Sequence, residues 1–359
     1  EIGSGLVGSE MCIRDSSGTI NTSASNIKGA VTNNNTLNLS GGTLSKAVSG
    51  SGTTNITGAV TSNSAISQAI NVVAAGDLTI NANNIGGAVT NAGDLILTGG
   101  TLSKVVSGSG KTTITGNTTN NSGIKQGVIV NSGVTLTNNA ALGSENGAIT
   151  NSGTITSNAG NIKGTVTNNN TLNLSGGTLS KAVSGSGTTT ISANATNNGG
   201  ISQKVNVNSG VTLTNNAALG SDSGVVTNSG IINTNADNIK GLVTNNNTLN
   251  LSGGTLNKAV SGSGTTNVTG DVTSNSAISQ AISITSAGGL TINASNVGGN
   301  VANSGDLILN GGTLNKVVSG SGTTNIVGEV TSNSAISQEI LITAVGDFCL
   351  LYTSPSPRD

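Results

Sequence analysis

Histidine and tryptophan are absent from the 359 residues, and the chain holds only two cysteines, two prolines, one methionine, one tyrosine and one phenylalanine. Without histidine, and with no cysteine between Cys12 and Cys349, the long central part has no side chain for a His/Cys metal centre and no imidazole base. With so few aromatics there is no platform on which to stack a nucleobase. Only 8% of residues are charged, 13 basic against 14 acidic, so no basic field exists to hold nucleic acid. What remains is glycine (54 residues), Asn, Ser, Thr and aliphatics. Polar richness of this kind suggests disorder. A hydrophobic content of 33% with a net charge of −1 is the reverse of a disordered composition. The placement of the aliphatics decides between the two.

The rare residues sit at the ends. Residues 1–16 and 349–359 contain Cys12, Cys349, Met11, Tyr352, both prolines and both arginines. Leu6 to Ser16, LVGSEMCIRDS, resembles a translated transposase-type sequencing adapter, and CLLYTSPSPRD at the other end resembles the same adapter read from the opposite strand. Residues 1–16 and 349–359 are therefore read as non-native segments, and residues 17–348 as an open-ended fragment of a longer repeat protein. Within that fragment eleven lysines face ten acids. A cysteine count carries no redox meaning there.

The phrase T-L-(S/N)-K-(A/V)-V-S-G-S-G starts at Thr43, Thr101, Thr178, Thr255 and Thr313, at spacings of 58, 77, 77 and 58. Both spacings are near multiples of 19, the mark of a coil with that circumference. Aliphatic anchors recur at Val31, Val48, Val72, Val89, Val106, Ile129, Ile149, Val166 and Val183, then at Val207, Val226, Val243, Val260, Ile284, Val301, Val318 and Ile342. After many of them come aliphatics at plus six and plus eight, as in Val31, Leu37, Leu39. Leu-Asn-Leu and Leu-Ile-Leu alternate with period two, which specifies strands. Gly and Asn fill the intervening turns because both accept positive φ. One rung cannot bury its own aliphatics, whereas stacked rungs cover each other. These features predict an all-β right-handed parallel β-helix of about 17 rungs, 17–24 residues each, with the hand set by the rule for parallel crossovers. On this reading a step of 58 is three rungs of 17, 24 and 17.

A larger repeat overlies the rung. Residues 26–110 return as 238–322, offset by 212. Inward candidates are identical (Val31/Val243, Leu37/Leu249, Leu39/Leu251, Leu44/Leu256), while differences fall on Ser45/Asn257, Ala59/Asp271, Asn71/Ser283 and Asp77/Gly289. Packing constrains the inside of a coil, and the outside is free to drift.

Chemistry is sparse. Asp77 and Asp94 lie 17 apart and should stack on adjacent rungs, where they could bind Ca²⁺ or act as acid and base; the second copy has Gly289 beside Asp306, which favours plain turn residues. Lys46, Lys104, Lys181, Lys258 and Lys316 recur at one place in the phrase, giving either a sparse basic line or a solvated edge that blocks sideways association. S-G-S-G lacks the Lys-Ser/Thr of a phosphate loop. The Asn runs at 33–35, 168–170 and 245–247 are placed to hydrogen-bond along the coil axis. Val-Thr-Leu-Thr at Val134 and Val211 raises a Thr-x-Thr ice- or crystal-binding face, but it recurs only in some rungs. No catalytic, cofactor or metal residue is assigned.

V-T-N-x-(G/N)-T-L-N-L and N-S-G-T-I-T-S-N-A-G-N-I-K-G resemble the β-strand repeats of bacterial autotransporter passengers and large surface adhesins of the filamentous-haemagglutinin kind. The resemblance covers the whole of 17–348. It implies a non-catalytic, extracellular, bacterial cell-surface stalk that presents a binding region to glycans or proteins of a host or neighbouring cell. It also implies no nucleic acid, no membrane contact by this segment, no small-molecule substrate and no cofactor. The alternatives are a fragment of a carbohydrate-active β-helix whose site lies elsewhere, and an ice- or crystal-surface binder.

Overall fold

A computed structural model describes residues 18–343 and 346–350; all of the adapter-like segment 1–16, and all but Cys349 and Leu350 of the segment 349–359, lie outside the described residues. The chain is all-β, with about 19 turns of stacked parallel strand and almost no helix, a β-solenoid. It divides into two compact units, residues 1–173 and 174–359, and the same construction is seen inside each.

In the first unit the strands are short and read in-out along their length. Thr36–Leu39 (TLNL) buries Leu37 and Leu39 and turns Thr36 and Asn38 outward. Successive turns pair in parallel and in register, for example Leu37 with Thr54, Thr54 with Ile70, Ile70 with Val89, and Val89 with Val106. A second side carries Leu44, Ser62, Ile80, Leu97, Ile114, Val130, Asn151 and Asn168. On a third side Val31, Val48, Ile66 and Ile85 stack, and Leu102, Asn120, Asn138 and Ser157 form a further ladder. Each turn therefore has three strand-bearing sides around one narrow apolar interior. Burying one such Leu or Ile contributes about 1.5–3 kcal/mol, and every turn relies on its neighbours to make that burial complete.

The second unit repeats this pattern. One ladder runs Leu179, Asn197, Asn215, Thr234, Leu251, Val268, Ile284, Asn303. Another runs Leu256, Ser274, Ile292, Leu309, Ile326, Ile342. One-turn 3-10 segments recur at Ala82–Asn84, Ala159–Asn161, Ala236–Asn238 and Ala294–Asn296. Each is opened by an Asn whose side chain accepts the N–H two residues on, as Asn235 does from Asp237.

The ladders revise the rung arithmetic. Paired residues are separated by 16 (Ile114 to Val130) to 21 residues (Val130 to Asn151), so no turn of 24 exists among the described pairings. Five anchors move as well: pairing runs through Ile70, Val128, Val205, Ile282 and Ile336, in place of Val72, Ile129, Val207, Ile284 and Ile342. Ile70 and Val72 both point inward, as do Val128 and Val130, so aliphatic identity alone could not fix the register. Ile129 faces outward between its two buried neighbours.

The 58- and 77-residue spacings also change meaning. Starting at Leu44, three ladder steps reach Leu97, five residues short of Leu102 in the next phrase. Starting at Leu179, four steps reach Leu251, again five short of Leu256. From Leu256, three steps reach Leu309, five short of Leu314. Within each unit, each phrase thus lies a whole number of turns plus one strand beyond the last, and it moves to the next side of the coil.

Candidate functional site

The outward positions of one side form hydrogen-bonded rows. In the second unit Asn250 Nδ2 donates to Asn233 Oδ1 at 2.6 Å, and Asn267 Nδ2 donates to Asn250 Oδ1 at 2.8 Å. In the first unit the row is Asn38 to Asn21 (2.6 Å), Asn55 to Asn38 (2.7 Å) and Asn71 to Asn55 (3.1 Å). Every amide points the same way along its row, so successive bonds polarise one another. Two residues along the strand lies a second row of hydroxyls. Ser252 Oγ donates to Thr234 O (3.3 Å) and Thr269 Oγ1 to Leu251 O (3.1 Å); Thr57 Oγ1 does the same to Leu39 O (3.1 Å).

In the second unit these rows meet the 3-10 turn Ala236–Asn238 in an open groove of about 590 Å³. Its lining spans four successive turns, from Thr214 through Asn233 and Asn250 to Thr269, and consists only of Asn, Thr and Ser. No charged or aromatic side chain is part of the lining, and the nearest acid in sequence is the exposed Asp237 of the adjoining turn. Chemically it offers neutral donors and acceptors held in fixed positions.

The carboxylate pair behaves as a column. Asp77 pairs with Asp94 and Asp94 with Lys111, whose Nζ lies 3.4 Å from Asp94 Oδ1. At the equivalent place in the second unit Gly289 pairs with Asp306 and Asp306 with Thr323, so neither the acid pair nor the ion pair is rebuilt. Among the described residues no group of three or more His, Cys, Asp or Glu comes together.

The recurrent lysines do not form a line. Each phrase occupies a different side from its predecessor inside the same unit, so Lys46 and Lys104 belong to different ladders, as do Lys258 and Lys316. Lys258 Nζ lies 2.5 Å from Asp222 Oδ1, two turns back. The hydrogen bond from Lys258, then its positive charge, holds the exposed Asp222 carboxyl below the usual carboxylate range.

S-G-S-G is a crossing point of the backbone. In the copy at 261–264 it passes over Asn245 with Gly262 at φ +112°, and a Cβ there would lie 2.3 Å from Asn245 O. The Asn runs act along the axis through their first member: Asn168 and Asn245 are fully buried and accept from Asn151 and Asn228, both at 2.7 Å. Thr-x-Thr gives one local array, with Thr135 paired to Thr154 and Thr137 to Thr156; in the second unit Thr212 pairs with Ile231 and the array stops.

One recurrent device was not foreseen. In each phrase a Gln donates to a Thr fourteen residues earlier: Gln68 to Thr54, Gln126 to Thr112, Gln203 to Thr189, Gln280 to Thr266 and Gln338 to Thr324, at 2.5–2.7 Å. The first four pairs are buried. The signal is visible in the sequence as I-(S/K)-Q following each G-(T/K)-T-(N/T). Comparison with family models, curated proteins and solved structures returns no match. Among the described residues no helix is long and apolar enough to cross a membrane.

Proposed function

We propose that this chain is a structural passenger region of a secreted or surface-displayed bacterial adhesin, a non-catalytic stalk that carries a binding function outward. The observation supporting this most directly is the uniformity of the turns. Within each unit every turn buries aliphatics, with Asn, Ser, Thr or Gln at some inward positions, and shows solvent mainly short uncharged side chains. Such an array gains stability from nearest-neighbour stacking, and its length can change without rebuilding a site. A cysteine-poor sequence between Cys12 and Cys349 also suits export of an unfolded chain that folds outside the cell.

The test places residues 17–348 between a bacterial outer-membrane anchor and an antibody epitope. The epitope should become accessible on intact cells, and the exported segment should resist protease once outside. Retention inside the cell or rapid proteolysis of the displayed segment would sink the reading. Reducing ends released from polysaccharides by the full reading frame, and not by residues 17–348 alone, would support the carbohydrate-active alternative instead, since its site lies outside this segment.

A further inference from the structure

We propose that the groove beside Asn233 and Asn250 binds an uncharged, unbranched glycan in an extended conformation, laid along the coil axis. The proposal deepens the adhesin reading by assigning it a ligand class and a place.

Four observations carry it. The groove is a cavity of about 590 Å³ that crosses four turns, so its long direction follows the stacking of strands. Its polar groups recur once per turn, at the strand spacing of about 4.8 Å, close to the length of one sugar residue in an extended chain. In the amide row each of the bonds Asn250 to Asn233 and Asn267 to Asn250 uses one N–H of the donor and one lone pair of the acceptor. An amide has two N–H groups and two lone pairs, so the row retains hydrogen-bonding capacity for a hydroxyl. The side chains are also preorganised: Asn235 is held by Asp237 N, Ser252 by Thr234 O and Thr269 by Leu251 O. Little side-chain entropy is lost on binding, which favours affinity.

The charge pattern selects among glycans. No lysine lines the groove, so a sulfated or uronic polymer would gain no ion pair there. A neutral polyol matches the Asn, Ser and Thr lining. The same residue types recur 212 positions earlier, with Asn21, Asn38, Ser40 and Thr57 standing where Asn233, Asn250, Ser252 and Thr269 stand. The first unit therefore carries a second version of the rows.

The experiment uses the whole chain and titrates it with cellohexaose, following backbone amide shifts and heats of binding. Saturable binding is expected, with shifts at Asn233, Asn250 and Thr269. Affinity should rise with oligomer length up to four sugars, one per turn of the groove, and then level off. It should be insensitive to added salt, because no charge is screened. Maltohexaose, which curls, should bind at least tenfold more weakly.

The variant Asn250→Thr keeps a strand-forming residue and removes the amide. It should lower affinity in the second unit about tenfold and leave the far-ultraviolet spectrum and unfolding midpoint unchanged. Thr269→Val is the second probe, since it removes one hydroxyl at constant shape. Absence of saturable cellohexaose binding, equal binding of maltohexaose, or Asn250→Thr and Thr269→Val both binding like the parent would each overturn the proposal. None of these results touches the display experiment, so the stalk reading stands or falls separately.

Discussion

Leucines, isoleucines and valines alternating with Asn and Thr announced their own orientation, and Leu37, Leu39, Leu249 and Leu251 are fully buried as that alternation requires. The interior asparagines were much harder to read. Asn120, Asn151 and Asn228 have no exposed surface, yet Asn in sequence signals a turn. Their inward position follows from what they satisfy. Asn120 Nδ2 donates to Asn138 Oδ1 at 2.6 Å, and its Oδ1 accepts the buried Gly123 N–H at 2.8 Å. Asn120→Ala orphans both partners, at about 1–3 kcal/mol each. The expected result is loss of roughly 2 kcal/mol or more of local stability, seen as faster amide exchange at Gly123 and Ile124. Asn120→Asp still accepts from Gly123 but places a carboxylate against Asn138 Oδ1. Burial raises the pKa of such a carboxyl, so its penalty grows as pH rises above about 4 and is complete above the raised native value. Exchange at Gly123 that matches the parent in both variants would show the amide to be dispensable.

Strands and turns were legible as types, and their boundaries followed from Gly, Asn and the T-L-N-L pattern. The register was only partly legible, because Ile70 and Val72 both face the interior and either could serve as the anchor. Side-chain identity also could not say which glycines are bound by geometry. Gly262 and Gly210 separate the two cases. Gly262 has φ +112° and faces Asn245 O, which a Cβ would approach to 2.3 Å; Gly210 has φ +75° with nothing within 4 Å of a Cβ. Gly210→Ala should therefore cost only the left-handed backbone penalty of about 1–2 kcal/mol. Gly262→Ala adds backbone overlap that the next turn cannot relieve without breaking the Gly264 N–H to Asn245 O bond at 2.9 Å. A loss of roughly 3 kcal/mol or more is expected. Urea midpoints of the two variants check this, and equal midpoints would contradict the crossing geometry.

At the scale of the molecule, sequence self-comparison found the period but mistook its geometry. A spacing of 58 suggests three turns, whereas the ladder from Leu44 to Leu97 closes three turns in 53 residues and leaves one strand over. Sequence identity between phrases cannot show this, because all three sides of the coil accept the same strand types. The candidate groove was illegible for a related reason: it is assembled from residues on four turns, each unremarkable alone. The screw-like advance makes a sharp prediction about deletions in the first unit. Asn38 and Lys125 share one outward ladder through Asn55, Asn71, Thr90 and Ser107, which places them five strand spacings apart, about 24 Å. Deleting residues 45–97 removes three whole turns and leaves the two on the same side, about 10 Å apart. Deleting residues 45–102 joins Leu44 to Ser103, a seam identical to a native phrase, but it also removes one side of a turn. Lys125 then takes the place of Ser67, beside Ile66 on another side of the coil. Spin labels on cysteines at positions 38 and 125, in a background where Cys12 and Cys349 are serine, should report a distance across the coil for the 58-residue deletion. They should report the short same-side distance for the 53-residue deletion. Both variants should keep a parallel-β spectrum, since stacking depends only on the adjacent turn. Equal label distances in the two deletions would show that the phrase returns to the same side and that the advance of one strand per repeat is wrong.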